Sequence, residues 1–258
     1  MPRAAVALVT GARRGIGRGI AWALADQGFD IVANDLVDDA DTRVTLEGIA
    51  TRGRRASYIA HDIADVAGHA GFVDRAFASF GTVDCLVNNA GIQVKVRGDL
   101  LDVTTDSFDE VMGVNLRGTF FLTQAVARRM LAQSHAPSDP PRSIITISST
   151  NARTVGLNRA EYCMAKSGLA MLNQLFALRV AEVDIMCYEI RPGIIRTDMT
   201  ARAFDRYDGL IKDGLTPIRR WGETGDVGAT VAALARRLLP FNTGDAFNVD
   251  GGFHMRVL

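Results

Sequence analysis

Short apolar runs alternate along this chain with longer segments in which apolar residues recur every three or four positions. The short runs are rich in Val, Ile and Ala and are bounded by turn-forming residues, so we expect them to form β-strands. They cover residues 4–10, 30–35, 56–62, 83–89, 143–148 and 184–190. The segments with helical spacing include 16–27, 72–80 and 108–130, and we expect these to form helices.

This alternation predicts the fold class. A strand–helix–strand repeat builds a parallel sheet covered by helices on both faces, which is the doubly wound α/β class. No change of composition marks a domain boundary, so we expect a single domain over residues 1–258. The polar, proline-containing stretch 134–141 is expected to be a surface loop of that domain.

A glycine-rich turn joins the first predicted strand to the first predicted helix, with Gly11, Gly15 and Gly17 in "TGARRGIG". Such a turn lets backbone N–H groups approach a phosphate at the helix N-terminus, where the helix dipole favours negative charge. A turn also needs glycine for purely conformational reasons. The pattern alone therefore leaves both a phosphate cradle and a structural turn open.

Further fragments follow in a fixed order. They are "NNAG" (88–91), "VNLRGTF" (114–120), "SST" (148–150), "YCMAK" (162–166), "RPGIIRT" (191–197) and "VDGG" (249–252). With these fragments and the glycine-rich turn, the chain resembles the short-chain dehydrogenase/reductase family from residue 5 to residue 252, and in particular its 3-oxoacyl-[acyl-carrier-protein] reductase-like branch. The resemblance implies a Rossmann-type fold and an NAD(P)-dependent oxidoreductase that interconverts a carbonyl compound and a secondary alcohol.

Candidate catalytic residues lie in these fragments. Tyr162 and Lys166 are four positions apart and share one helix face. A free tyrosine has a pKa of about 10, and a nearby ammonium group lowers it, so Tyr162 is expected to exchange a proton with a substrate oxygen. The resemblance implies that Ser149 hydrogen-bonds the same oxygen and that Asn115 holds a water molecule connected to Lys166.

The resemblance also implies a set of cofactor contacts. The residues concerned are Gly11, Arg13, Arg14, Gly15, Ile16, Gly17, Asp35, Leu36, Asp62, Ile63, Asn89, Ala90, Gly91, Tyr162, Lys166, Pro192, Gly193, Ile194, Ile195 and Thr197. Asp35 ends the second predicted strand, where its carboxylate can accept hydrogen bonds from the ribose hydroxyls of NAD and repel the 2′-phosphate of NADP. Arg14 favours NADP instead, unless it forms an ion pair with Asp35. We expect NAD to be preferred over NADP.

The substrate is less well defined by the sequence. The loop between Ser149 and Tyr162 carries Arg153 and other polar residues, which indicates a polar or anionic carbonyl compound unless these side chains face solvent. Residues 198–222 match the family's substrate lid, and there Met199 is a candidate substrate contact. Met199, Phe204, Tyr207, Leu210 and Ile211 either line an apolar pocket or pack the lid onto the sheet. Docking of an acyl carrier protein is not favoured, because the corresponding regions read "SHAPSDPP" and "AEVDI".

Other classes of function remain open. A dinucleotide-sensing protein without catalysis, or a lyase or epimerase that retains NAD, can share much of this pattern. Lys plus Arg and Asp plus Glu number 29 each, so we expect neither nucleic acid nor a membrane surface as a partner. The three cysteines and four histidines are scattered, which indicates a reducing, cytoplasmic compartment and argues against a disulfide framework or a metal site.

Apolar faces on two of the predicted helices indicate self-association. Phe120, Phe121, Leu122 and Val126 lie on the first of these helices, and Leu169, Leu172, Leu175 and Leu178 lie on the second. A monomer would have to expose these faces or turn them inward. Members of the resembled family pair the same helices, so we expect a homotetramer. The resemblance also implies a small-molecule substrate as the partner of the enzyme.

Overall fold

Seven parallel strands form one sheet at the centre of the computed structural model, which describes residues 3–255 except for the side chains of residues 199, 202 and 203. The strands are β1 (Val6–Thr10), β2 (Asp30–Asp35), β3 (Ala56–Ala60), β4 (Cys85–Asn88), β5 (Arg142–Ile147), β6 (Ile185–Pro192) and β7 (Ala246–Val249). Their order across the sheet is β3-β2-β1-β4-β5-β6-β7. The predicted doubly wound, Rossmann-type fold is confirmed.

Helices cover both faces of this sheet. They are α1 (Gly15–Asp26), α2 (Ala40–Ala50), α3 (His69–Phe80), α4 (Thr105–Met112), α5 (Thr119–Ala132), α6 (Ala160–Val180), α7 (Phe204–Lys212) and α8 (Thr224–Ala235). Apolar residues of α1, α2 and α8 form the core on one face, and those of α3, α5 and α6 form the core on the other. Two apolar layers therefore clamp a sheet whose central strands are completely buried.

The predicted helix 108–130 is not one α-helix. It consists of α4, a π-helical turn over Gly113–Gly118, and α5. Such a turn inserts an extra residue into the helical ladder and is often found at functional sites. The strands agree with the six predicted ones within two residues at each end, and β7 is an additional strand.

The chain reverses its strand order between β1 and β4. In open α/β sheets, ligands bind at such a switch point, in the crevice beyond the carboxyl ends of the strands. The fragments identified in the sequence follow β1, β4, β5 and β6 and so gather at this edge.

Within the described residues, no helix combines the length and the apolar character that crossing a membrane requires. Residues 133–141 connect α5 to β5 without helix or strand, as the sequence predicted for the stretch 134–141.

Candidate active site

Two loops are tied together at the floor of the crevice. Thr10 ends β1, and its hydroxyl oxygen accepts hydrogen bonds from the N–H groups of Asn89 and Ala90, each at 3.0 Å. The side-chain amide of Asn89 donates in return to the carbonyls of Thr10 and Gly11, at 2.9 and 3.1 Å. The glycine-rich turn after β1 is thereby held against the loop after β4.

The glycines of this turn have different surroundings. A Cβ atom on Gly17 would lie 2.0 Å from the carbonyl oxygen of Gly11, and one on Gly11 would lie 2.9 Å from the Cα atom of Ala90. Gly15 has a φ of +57°, and a Cβ atom there would have the Thr197 methyl group as its nearest neighbour, at 3.7 Å. Gly11 and Gly17 are thus required by packing, whereas Gly15 borders open space.

The N-terminus of α1 opens into the same space. The structure describes every residue of this helix. Arg14, which precedes it, forms no side-chain capping bond, and the first turn carries no acidic residue. The N–H groups of Gly15, Ile16 and Gly17 therefore remain available to an anion, which the helix dipole also favours. The open space beside Gly15, bordered by the Thr197 methyl group, fits the pyrophosphate of the dinucleotide that the sequence implies.

Asp35 lies half-buried at the end of β2, beside the glycine-rich turn. Its carboxylate accepts hydrogen bonds from the N–H groups of Leu36, at 2.8 Å, and of Arg13, at 3.3 Å. The guanidinium group of Arg13 points away, to Asp39 at 2.5 Å. In the described part of the chain, no cationic side chain is bonded to the Asp35 carboxylate.

Arg14 does not form the ion pair with Asp35 that the sequence left open. Its guanidinium group lies 3.5 Å from the carboxylate of Asp198, and both side chains are more than half exposed. The course of the backbone explains this pairing. Arg14 precedes α1, and the segment after β6, which carries Asp198, lies next to this position.

The two predicted adenine contacts differ in exposure. The carboxylate of Asp62 is at the surface and accepts a hydrogen bond from the N–H of Ala64 at 2.9 Å. The side chain of Ile63 is buried in the core, and its carbonyl accepts a hydrogen bond from Nε2 of His69 at 2.9 Å. Ile63 can thus offer only backbone atoms to a ligand.

The segment after β6 forms the opposite wall. The N–H of Gly193, next to Pro192, donates to the carbonyl of Val249 at 3.0 Å. Ile195 is buried and pairs with Gly222, which holds the segment in place. Thr197 follows at the position facing Gly15, while Ile194 contributes its carbonyl to the N–H of Gly222 at 3.0 Å.

The candidate catalytic side chains meet between the two walls. Tyr162 and Lys166 are on one face of α6, and both are almost completely buried. The ammonium group of Lys166 donates to the carbonyl of Ile147 at 3.0 Å and lies 5.6 Å from the centre of the Tyr162 ring. Ser149 follows β5, and its hydroxyl accepts a hydrogen bond from the N–H of Asn151 at 3.1 Å.

The pKa values of this pair are set by burial. Burial lowers the pKa of Lys166 to about 8, although the carboxylate of Glu189 opposes the shift. Burial raises the pKa of Tyr162, and the hydrogen bond from the Ser149 hydroxyl and the charge of Arg159 act in the opposite direction. The predicted lowering of the Tyr162 pKa is therefore wrong for this structure, because desolvation of the phenolate outweighs its favourable neighbours.

Asn115 lies in the π-helical turn and is completely buried. Its side-chain amide bonds to the backbone of Ile92, two residues beyond Ala90. A Cβ atom on Gly91 would lie 3.0 Å from Oδ1 of Asn115 and 3.6 Å from Nζ of Lys166. The loop after β4, the π turn and α6 therefore converge at Lys166.

The candidate substrate residues divide into exposed and internally bonded groups. Arg153 is exposed. Glu161 is buried and accepts a hydrogen bond from the hydroxyl of Ser107 at 2.6 Å, so it is not available to a substrate. The side chain of Met199 lies outside the described part of the structure.

The aromatic residues of segment 198–222 pack on one another. The rings of Phe204 and Tyr207 stand edge-on to Trp221, with centroids 5.1 and 5.9 Å away. Ile211 is buried, and Leu210 is partly exposed. Of the two interpretations that the sequence allowed, these contacts favour packing of the segment over an open apolar pocket.

Three charged residues near Tyr162 and Lys166 were not identified from the sequence. Arg97 acts on the Tyr162 phenol together with Arg159. Glu189 and Arg191 form a salt bridge on β6 with an N···O distance of 2.8 Å. The available signal for this pair was the string "YEIRPG", in which opposite charges two residues apart interrupt an apolar strand.

Comparison with known proteins gives consistent results. A family model described as "Enoyl-(Acyl carrier protein) reductase" matches residues 11–254. The chain is 35% identical over 253 residues to 2-dehydro-3-deoxy-D-gluconate 5-dehydrogenase of Dickeya dadantii (97% of this chain and 96% of the relative). It is 32% identical over 251 residues to L-rhamnose 1-dehydrogenase (NAD(P)(+)) of a Sphingomonas species (97% of this chain and 96% of the relative).

A solved structure resembles the whole chain. It is a 3-oxoacyl-[acyl-carrier protein] reductase from Brucella melitensis in complex with NAD, with 46% identity, a TM-score of 0.95 and 100% coverage of both chains. The fold and the arrangement of motifs along the chain are thus those of proteins that act with nicotinamide cofactors.

Proposed function

This chain belongs to the short-chain dehydrogenase/reductase family, and we propose that it interconverts a polar keto compound and its secondary alcohol with NAD(H). Members of this family transfer a hydride between NAD(P) and carbonyl or alcohol substrates. The observation that carries the proposal is the meeting of Tyr162, Ser149 and Lys166 beside the glycine-rich turn, at the switch point of the sheet. When bound, the nicotinamide supplies or accepts the hydride.

Tyr162 serves as the proton donor in the reduction direction. Its raised pKa keeps the phenol protonated near neutrality, which is the form that a carbonyl oxygen requires. The ammonium group of Lys166 then stabilises the phenolate that forms. The Ser149 hydroxyl accepts a hydrogen bond from the N–H of Asn151 and directs its own proton toward the Tyr162 phenol, so it can donate that proton to a substrate oxygen bound there.

Residues around the crevice hold the dinucleotide in this proposal. The N–H groups of Gly15, Ile16 and Gly17 would bind the pyrophosphate, and Asn89 to Gly91 and Pro192 to Thr197 would form the two walls of the cofactor site. Asp35 accepts hydrogen bonds from the adenosine ribose and disfavours a 2′-phosphate, so NAD(H) is preferred. The guanidinium groups of Arg13 and Arg14 lie against the carboxylates of Asp39 and Asp198. The 2′-phosphate of NADP(H) would therefore find no preformed cationic partner at these two residues.

An anionic keto compound fits the charges near the phenol. Arg97 and Arg159 both act on Tyr162, and Nε of Arg159 is buried without a hydrogen-bond partner among the described residues. The relative from Dickeya dadantii is named for 2-dehydro-3-deoxy-D-gluconate, which is a keto sugar acid. We infer the same substrate class for this chain, with segment 198–222 closing over it as a lid.

A second candidate is the reduction of a 3-oxoacyl thioester. The similarity to the Brucella melitensis reductase over the entire chain favours it. The exposed apolar side chains of Val155 and Leu157, between Ser149 and Tyr162, offer a surface for an acyl chain. This candidate shares the same catalytic residues and differs only in the substrate.

The test is an absorbance assay of NADH consumption with keto sugar acids, 3-oxoacyl thioesters and uncharged ketones, repeated with NADPH. We expect the keto sugar acids to be reduced fastest and Tyr162→Phe to lower the rate by about 10²–10⁴-fold while NADH still binds. Turnover by Tyr162→Phe at the native rate would overturn the catalytic assignment. Binding of NADH without net consumption with any substrate would instead favour a dinucleotide sensor or an NAD-retaining lyase or epimerase.

The proposal includes a homotetramer. Side chains on the outer faces of α5 and α6 are exposed in the single chain, among them Phe121, Leu175 and Leu178. An apolar surface of this kind is expected to be covered by a second copy of the chain.

A further inference from the structure

A buried ion pair lies on β6, and its carboxylate acts electrostatically on the candidate catalytic lysine. Glu189 and Arg191 are two residues apart, so their side chains point to the same face of the strand. Nε and one terminal nitrogen of Arg191 donate to the two carboxylate oxygens of Glu189, each at 2.8 Å. The Glu189 side chain is 2% exposed and that of Arg191 is 11% exposed.

The same carboxylate is bonded to the end of β5. The hydroxyl of Ser148 donates to Oε1 of Glu189 and also lies 3.2 Å from the carbonyl of Ile190. Ser148 stands between Ile147, whose carbonyl accepts the Lys166 ammonium, and Ser149, the candidate substrate contact. One carboxylate therefore anchors the middle of a three-residue segment whose two outer residues touch the reacting groups.

Glu189 is also an electrostatic neighbour of Lys166. Burial disfavours the lysine cation, and the Glu189 carboxylate favours it. The other groups near Lys166 are Tyr162 on its own helix and neutral Asn115 from the π turn. Arg191 is bonded to Glu189 and partly neutralises its charge. Buried ion pairs are weak contributors to stability, because desolvation offsets most of their attraction. Their presence beside a reacting centre therefore calls for a functional explanation.

We propose that Glu189 is a positioning residue for the reaction. It fixes the Ile147–Ser149 segment against Lys166, and its negative charge, which Arg191 partly neutralises, stabilises the Lys166 cation. This inference rests on the proposed role of Lys166 beside Tyr162. It concerns only residues of this chain, and it holds whichever carbonyl compound is the substrate.

The two partners have opposite effects on Lys166. In Glu189→Gln, the negative neighbour is lost and Arg191 remains, so the cation is less stable and the Lys166 titration moves to lower pH by about one unit. In Arg191→Gln, the carboxylate is no longer neutralised, so the cation is more stable and the titration moves to higher pH. The double variant replaces the ion pair by two neutral amides of similar size and is expected to titrate between the two single variants.

Lysine NMR measures this directly, because the sequence contains only three lysines, Lys95, Lys166 and Lys212. Labelling lysine at Cε gives three signals, and Lys166→Met identifies the one of interest. Lys95 and Lys212 are exposed and serve as references in the same spectra. We expect the Lys166 signal of the unsubstituted protein to titrate near pH 8.

A second readout is the pH profile of NADH-dependent turnover. Its high-pH limb, where the Lys166 cation is lost, should move down in Glu189→Gln and up in Arg191→Gln. The NMR titration needs neither substrate nor cofactor, so a failure of the proposed substrate class leaves it intact. Equal Lys166 midpoints in all variants, or shifts of the same sign in the two single variants, would overturn the proposal. If Glu189→Gln does not fold, Arg191→Gln and the double variant decide between the outcomes.

Discussion

Asn115 and Ile92 are joined by two hydrogen bonds, in which Nδ2 of Asn115 donates to the Ile92 carbonyl at 2.9 Å and the Ile92 N–H donates to Oδ1 at 2.8 Å. The side-chain amide of Asn115 thus bonds both backbone groups of Ile92, a loop residue outside the sheet, as a neighbouring peptide group would. The π-helical turn over Gly113–Gly118 presents Asn115 in this position. The bond pair connects the loop after β4 to the helix pair that borders Lys166.

Asn115→Leu should destabilise the fold. Leucine has a similar volume but leaves the N–H and the carbonyl of Ile92 without partners, and each buried unsatisfied group costs about 1–3 kcal/mol. We therefore expect the free energy of unfolding to fall by about 2–4 kcal/mol, measured by urea denaturation, and turnover to fall as well. Asn248→Leu, at an exposed position on β7, is the control. Equal urea midpoints for the two variants would contradict the role given to the bond pair.

Lys166→Met should abolish turnover and yet stabilise the fold at neutral pH. The folded-state pKa of Lys166 is about 8, below the unfolded value of about 10.4, so the unfolded chain binds more protons between these two pH values. The cost of burying the cation is complete below pH 8 and is relieved as the pH rises toward 10.4. It amounts to about 3 kcal/mol at pH 7, since one pKa unit corresponds to about 1.4 kcal/mol.

Thermal or urea unfolding at several pH values measures this effect. The advantage of Lys166→Met over the unsubstituted protein should be largest at pH 7 and should shrink by pH 10. Lys212→Met, at an exposed position, should show neither the gain nor its pH dependence. A loss of stability in Lys166→Met at pH 7 would mean that the bond from Lys166 to the Ile147 carbonyl outweighs the desolvation of the cation.

The sequence was informative where local spacing decides the structure. Tyr162 and Lys166 share a helix face because they are four residues apart, and the β-strands from β1 to β6 appear as short apolar runs. β7 was not predicted because the polar, exposed Asn248 interrupts its short run, whereas the equally short β4 is completely buried. The π turn brings Asn115 to the backbone of Ile92, 23 residues earlier in the chain, and local spacing does not report this contact.

The electrostatics could not be predicted in the same way. The direction of the Tyr162 pKa shift depends on how completely α6 is covered, and spacing does not report burial. The salt bridge between Glu189 and Arg191 has the two-residue spacing of one strand face, but the sequence does not show that this face lies against Lys166. Arg14 binds Asp198 instead of Asp35, because the segment after β6 returns to the glycine-rich turn.

Asp35→Ala should shift the cofactor preference toward NADP(H). Removing the carboxylate takes away both the ribose acceptor and the charge that repels a 2′-phosphate. We expect the ratio of kcat/KM for NADPH to that for NADH to rise by about tenfold or more, which corresponds to about 1.4 kcal/mol. Asp38→Ala changes the charge by the same amount at an exposed position three residues away and is the control. An unchanged ratio in Asp35→Ala, or an equal rise in both variants, would refute the assignment of Asp35.

The outer face of α6 predicts the assembly. Met164, Met171 and Leu178 follow one another at seven-residue intervals, and with Leu175 they leave an apolar stripe that is 46–85% exposed in the single chain. We expect a second chain to cover a stripe of this length, together with the exposed Phe121 on α5. For the homotetramer proposed above, light scattering should give a mass of four chains, or about 111 kDa from four times 27.8 kDa.

Leu178→Glu should dissociate this assembly, because it places a charge on the most exposed residue of the stripe, where association would bury it. The expected light-scattering mass is that of one or two chains, with an unchanged circular dichroism spectrum. Val44→Glu, on α2 at the opposite side of the sheet, introduces the same charge at an apolar position that is 45% exposed and should leave the tetramer intact. If the unsubstituted protein already has the mass of one chain, the stripe has another role; if Leu178→Glu remains a tetramer, the chains associate through a different face.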